Sequence, residues 1–304
     1  MPGTPWLHAA VDELAVWLED RRRRDPSPFV PAPPAPLACF GPLPPPPPAP
    51  AGPGWWTAPS PRPAPGDGQA RALVTRAAGP RRGTAVLVPP WKVPRLSLLS
   101  GWTSLLEGLG LEVWTLIPPF HLDRAPPGLR SGEAFATPDL PALRAAVEQL
   151  VLEVRLLLGL ARGQGGELVL VGLSLGALAA ALAATSAEAP DRLVAVAPPA
   201  DLLAVATRTG IGRRYRALGA RAGRAPPPLR ELEPMLRPFR PEARALRAPR
   251  ALVATGSADA IALPGPATDL ARAWGAELRI YPRGHLTLLF WCRALRRDVA
   301  RFVG

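Results

Sequence analysis

The sequence predicts an α/β architecture, a mainly parallel sheet with helices on both faces and a small lid inserted late in the chain. Three observations predict it. From Ala70 onward, short apolar runs suited to buried strands alternate with longer helical patterns. Strands separated by helices need crossover connections, and crossovers pair strands in parallel. Second, the uncharged stretch from Leu168 to Ala187 changes character midway, from Leu168-Val169-Leu170-Val171 to an alanine-leucine run, with Gly172-Leu173-Ser174-Leu175-Gly176 at the join. Third, Ser174, Asp259 and His285 each follow a different candidate strand.

Taken in order, Leu7, Val11, Leu14 and Leu18 recur at spacings of four, three and four, so Pro5 to Arg24 reads as an amphipathic helix within an N-terminal segment, 1–25. Trp17 widens its apolar stripe, which is expected to pack on the main body. Docking on a lipid surface is the weaker alternative, because the polar face carries Asp12, Glu13, Glu19 and Asp20. Residues 26–69 are proline-rich, with Pro44 to Pro48 consecutive. Proline removes backbone donors and favours extended conformation, so this segment is expected to be a connector, anchored through Trp55-Trp56.

The main domain is expected at 70–304. Its candidate strands are Ala72–Arg76, Thr84–Val88, Leu111–Ile117, Glu167–Val171, Leu193–Ala197, Ala251–Thr255 and Ala276–Tyr281. Its candidate helices are Leu96–Gly108, Leu140–Leu160, Leu175–Ala187, Gly265–Trp274 and Leu286–Phe302. The arginine- and proline-rich segment at about 198–248 interrupts the rhythm and is expected to be the lid.

Composition excludes several function classes. The chain has 304 residues and a net charge of +12, but Lys92 is its one lysine and the arginines are scattered. No basic stripe interleaved with aromatics suggests a nucleic-acid groove. Cys39 and Cys292 give neither a disulfide framework nor metal spacing, and with three histidines no cofactor or metal is expected. The N-terminus lacks an uninterrupted apolar region, so a cytoplasmic protein is the expectation.

The pentapeptide between strand and helix has the layout of a nucleophile elbow, in which a sharp turn presents the serine and flanking small residues avoid collisions. Asp259 follows the next-to-last strand and His285 the last, so the chain order is Ser, Asp, His. On these residues, 70–304 resembles a serine α/β-hydrolase. More narrowly, the run from Pro119-Phe120-His121 through Pro126-Pro127-Gly128 to Ser131-Gly132-Glu133 resembles a poorly characterised branch of that superfamily, which includes the eighteenth abhydrolase-domain protein of animals.

The resemblance implies roles that chemistry can justify. Ser174 needs a neighbouring base, His285, and Asp259 would fix the imidazole tautomer. Two N–H donors would hold the oxyanion, one on Leu175 at the helix start and one on the loop after Val88. Pro89 and Pro90 have no N–H, so Trp91 is the first residue able to donate there.

Alternatives stand beside these roles. Asp201, after the preceding strand, competes with Asp259 as the acid. His121 lies on a loop at the carboxyl ends of the strands and either lines the pocket or stabilises its loop by hydrogen bonding. His8 is expected to be exposed, and Glu133 to brace the His121 loop through Arg124 or Arg130. Arg208, Arg213, Arg214, Arg216, Arg221 and Arg224 would attract an acidic acyl group or phosphate, or form a solvated surface.

The expected activity is cleavage of a small-molecule acyl ester, or related acyl bond, through an acyl-enzyme. The rivals are acyl transfer on the same residues and a non-catalytic binding or scaffolding protein.

Overall fold

The computed structural model describes residues 5–22, 29–221, 223 and 227–304. The expected helix end at Arg23-Arg24, the first residues of the connector and Arg224 lie outside them.

Eight strands form one sheet in the order β1-β2-β4-β3-β5-β6-β7-β8. They are β1 (Gly54–Ala64), β2 (Asp67–Thr75), β3 (Gly83–Val88), β4 (Leu111–Ile117), β5 (Glu167–Leu173), β6 (Arg192–Val196), β7 (Arg250–Gly256) and β8 (Glu277–Tyr281). β1 pairs antiparallel with β2, and β2 antiparallel with β4; from β4 to β8 every pairing is parallel.

The parallel strands alternate strictly between two cores. Ala85 and Leu87 of β3, with Val169, Val171 and Leu173 of β5, face α2 (Ser100–Gly108), α9 (His285–Trp291) and α10 (Arg293–Val303). Val86, Val88, Leu168 and Leu170 face α3 (Leu140–Gly163) and α4 (Leu175–Ala183). A strand buried on both faces reads as an unbroken apolar run, which is why these elements were visible in the sequence. The helix expected at 286–302 is broken at Cys292, whose backbone is extended and whose Sγ accepts the N–H of Leu295. Both cysteines are buried and free.

Two sequence expectations need correction. Residues 54–64 are not a connector but an edge strand. Pro59, Pro61 and Pro63 cannot donate to a ladder, yet an edge strand needs partners on one side only. Register is lost between Pro59 and Ala64, and Ser60 binds Glu153 on α3 instead. Trp56 is buried and donates to Pro48, whereas Trp55 is exposed and stacks under Arg71.

The second correction concerns α1 (Pro5–Arg22). Its apolar stripe faces outward: Leu7, Val11, Leu14, Trp17 and Leu18 are exposed, with Leu14 at 54%. The inward face carries Asp12, which is fully buried, and helix and body approach closely there. A Cβ on Gly284 would stand 2.6 Å from the carbonyl oxygen of His8. The close approach and the buried carboxylate decide which face turns inward, against the hydrophobic pattern.

Between β6 and β7 the chain inserts α5 (Leu202–Arg208), α6 (Gly210–Arg221) and α7 (Leu229–Leu236), and α8 (Pro264–Trp274) joins β7 to β8. Among the described residues no helix is long and apolar enough to cross a membrane.

Candidate active site

Backbone strain marks one edge of the sheet. The five non-glycine residues with positive φ among the described residues are Lys92, Phe120, Leu122, Ser174 and Ala197. Each follows the carboxyl end of a strand, β3, β4, β5 or β6. Strained backbone of this kind persists only where surrounding structure imposes it, and it concentrates at functional sites.

Ser174 sits between β5 and α4 with φ 52° and ψ −115°, its N–H donating to Val196 O at 2.8 Å. The glycines on either side of it are required by contact. A Cβ on Gly172 would meet the Gly176 carbonyl oxygen at 2.4 Å, and one on Gly176 would meet Val88 O at 2.1 Å. The second contact presses the start of α4 against the end of β3, so the loop bearing Trp91 stands beside the loop bearing Ser174.

Ser174, Asp259 and His285 come together. His285 Nε2 lies 2.7 Å from Ser174 Oγ, and His285 Nδ1 lies 2.7 Å from Asp259 Oδ2. Asp259 Oδ1 accepts the N–H groups of Ile261 at 2.9 Å and Ala262 at 2.7 Å, which hold the carboxylate in place. All three side chains are buried. Burial by itself would lower the proton affinity of His285, but the adjoining Asp259 carboxylate, helped by Asp12, outweighs it and leaves the imidazole raised above its ordinary value. Asp201 is engaged elsewhere. Its Oδ1 accepts from Leu203 and Ala204 at the start of α5, and its Oδ2 pairs with Arg240 at 2.6 Å.

Leu175 opens α4, so its N–H has no helical acceptor and lies at the positive end of the helix. Trp91 joins Ser174 and Leu175 in lining one cavity, and its indole Nε1 donates to Gly132 O at 2.7 Å.

His121 does not line that cavity, which corrects the pocket reading in favour of the loop hydrogen bond. It is fully buried behind the turn at Trp91-Lys92. The Lys92 N–H donates to His121 Nε2 at 3.1 Å, so the proton of the neutral ring is on Nδ1, which donates to Pro119 O at 2.8 Å. Burial, reinforced by Arg124 and Lys92, lowers its pKa to about 4, so the ring stays a neutral acceptor near neutral pH. Gly132, with φ 72°, is needed beside it, because a Cβ there would stand 2.5 Å from His121 Nε2.

The His121 loop is anchored from below. Arg124 binds Asp67 and Glu153 in a buried ion triad, and the Phe120 N–H donates to Asp67 at 2.8 Å. Glu133 receives the backbone N–H of Arg130 rather than a guanidinium. His8 is half-buried, with Nε2 3.2 Å from Arg283 Nη1.

The cavity above Ser174 has a volume of about 540 Å³ and an almost wholly apolar lining. Phe135, Leu143 and Leu178 come from the body, and Val205, Ile211 and Leu232 from the inserted helices. Of the inserted arginines, Arg216 reaches the cavity and bonds Ala206 O, Arg213 pairs with Glu13 of α1, Arg214 is buried, and Arg208 and Arg221 are exposed. Among the described residues no group of His, Cys, Asp and Glu is placed to hold a metal ion.

No protein-family model matches the chain, and no curated protein matches it either. Solved structures do. The acetyl xylan esterase from Paenibacillus sp. R4 is 19% identical with a TM-score of 0.56, over 77% of this chain and 79% of that one. The Pyrobaculum calidifontis esterase is 19% identical at 0.53, over 82% and 84%. The Paleococcus ferrophilus monoacylglycerol lipase is 17% identical at 0.52, over 76% and 98%. Identities this low establish shared architecture. With the mainly parallel eight-stranded sheet and its helices on both faces, they show that this chain has the α/β-hydrolase fold.

Proposed function

We propose that the protein is a serine hydrolase that cleaves esters of apolar acyl groups through an acyl-enzyme. The observation that carries this reading is the hydrogen-bonded chain Ser174–His285–Asp259 opening onto an apolar cavity. The Ser174 Oγ attacks the ester carbonyl carbon while His285 Nε2 takes its proton. The N–H groups of Leu175 and Trp91, residues that line the same cavity, are assigned to the developing oxyanion, and removing such a donor typically costs about 3 kcal/mol. His285 then protonates the departing alcohol. Water, deprotonated by the same imidazole, releases the acid and restores Ser174. The helices inserted between β6 and β7 serve as the lid, and the run around His121 supports the narrower branch resemblance. A cytoplasmic setting belongs to the same proposal.

The test is labelling with a fluorophosphonate probe, with Ser174→Ala as control. The wild type should react at Ser174 and the variant should not; a folded wild type that stays unlabelled would favour the scaffolding alternative. Across a series of soluble esters, kcat/KM should rise about fourfold per added methylene until the cavity is full, the factor corresponding to about 0.8 kcal/mol per buried CH₂. Optimal activity on acetate esters would refute the apolar-acyl assignment. Acylated products formed on adding alcohols or amines would reveal transfer.

The outward apolar face of α1 favours a lipid-borne ester as a second reading. Replacing Trp6, Leu7 and Leu14 by glutamine should lower activity on dispersed lipid more than on a soluble ester, and equal losses would refute it.

A further inference from the structure

Asp12 is a buried carboxylate that the proposed chemistry leaves unused and that touches the residues carrying it. It enters from α1 and is fully enclosed. Its Oδ2 accepts the backbone N–H of His285 at 2.7 Å and that of Ala260 at 3.3 Å; its Oδ1 accepts the N–H of Leu286 at 3.1 Å. Ala260 follows Asp259 directly, so one carboxylate ties the loop carrying the acid to the residue carrying the base. Gly284 makes room for this arrangement, since a Cβ there would stand 2.7 Å from Asp12 Oδ2. Its φ is −84°, so the glycine serves the close approach and not an unusual backbone conformation.

We propose that Asp12 is a positioning residue for the Ser174–His285–Asp259 chain, and that the N-terminal helix is therefore a working part of the catalytic apparatus. This inference rests on the proposed hydrolase reading. An imidazole that must reach both Ser174 Oγ and Asp259 tolerates little backbone drift, and displacements of about 1 Å can cost about a hundredfold in rate. The three N–H donors remove that freedom on both sides of the imidazole–carboxylate pair.

Asp12 also acts through charge. Burial pushes its own carboxyl up, while the N–H groups of His285 and Leu286 and the neighbouring imidazole favour the ionised form. In that form it adds to Asp259 in raising the proton affinity of His285. Among the described residues, His8 on α1 and Arg283 on the loop before α9 also meet at this junction and contact each other.

The experiment compares the wild type with Asp12→Asn, Gly284→Ala and the control Glu13→Gln. Glu13 is on the same helix, but its exposed pair with Arg213 contributes little. Imidazole titration by NMR reads His285 directly, and kinetics on a soluble ester read catalysis. In Asp12→Asn, His285 should titrate at lower pH than in the wild type, with the acid limb of the rate profile moving the same way. Its kcat should fall about tenfold or more with KM nearly unchanged.

Gly284→Ala displaces the carboxylate without removing it, and should lower kcat at constant KM even if Asp12→Asn fails to fold. Glu13→Gln should match the wild type. A lowered melting temperature with His285 titration and kcat unchanged would overturn the inference and leave Asp12 a mere anchor for the helix. Normal kcat in Gly284→Ala would also overturn it. A wild type inert to fluorophosphonate would instead defeat the hydrolase reading, while the NMR titration would still report on the Asp12–His285 contact.

Discussion

His121 and His285 are both almost completely buried at the same edge of the sheet, yet their proton affinities move in opposite directions. Desolvation disfavours the imidazolium at both. Around His121 the remaining neighbours are two carbonyls and the cations Arg124 and Lys92, so nothing reverses the penalty and the pKa falls to about 4. Around His285 the carboxylates of Asp259 and Asp12 outweigh it. A buried histidine is thus made into a base by what charge is buried with it, and into a fixed hydrogen-bond acceptor by the absence of such charge.

The comparison can be broken most directly at His285. His285→Gln should lower kcat by about 10⁴-fold or more and suppress fluorophosphonate labelling, because it removes the imidazole that contacts the Ser174 hydroxyl. In the wild type, activity requires the neutral imidazole and so should rise with pH, with its midpoint above the ordinary histidine value of 6.5. An acid limb centred well below that value would contradict the carboxylate account.

The effect at His121 should be smaller and of another kind. His121→Leu leaves the Lys92 N–H without its acceptor and loosens the turn that presents Trp91, so kcat should fall by about ten- to a hundredfold. The acid limb should stay where it is, since His121 is already neutral there. A shift of the limb would mean that His121 exchanges protons during turnover.

The smallest effect is on stability. A histidine with a folded pKa near 4 takes up its proton more readily when unfolded. Wild-type stability from this group is therefore full above about pH 6.5 and lost as pH falls through about 4. Melting temperatures of wild type minus His121→Leu, measured between pH 4 and 7, should show a difference that shrinks toward acid. A flat difference would show that burial does not set this titration.

The same two residues show how far local sequence reached. His285 was legible because it follows a strand and completes the order Ser174, Asp259, His285, which depends on position along the chain. The task of His121 was not, because its partner Lys92 lies on another loop and nothing in either segment announces the pairing. The sequence favours Asp259 as the acid but leaves Asp201 as a competitor, since both follow strands that are neighbours in the sheet. Packing removes the competitor, sending Asp201 to cap α5 and pair with Arg240 and Asp259 to His285.

By itself, the sequence determined the elements whose information is local. These are the doubly buried strands, the helices between them, and the glycine-flanked serine at the turn, because periodicity and steric need at Gly172 and Gly176 act within a few residues. Tertiary structure alone decided the rest. It made a strand of the proline-rich segment at 54–64, since an edge position excuses the missing donors. It turned Asp12 of α1 inward and the apolar stripe outward, since burying Asp12 against three N–H groups, two of them more than 270 residues away along the chain, is a contact that no local pattern encodes.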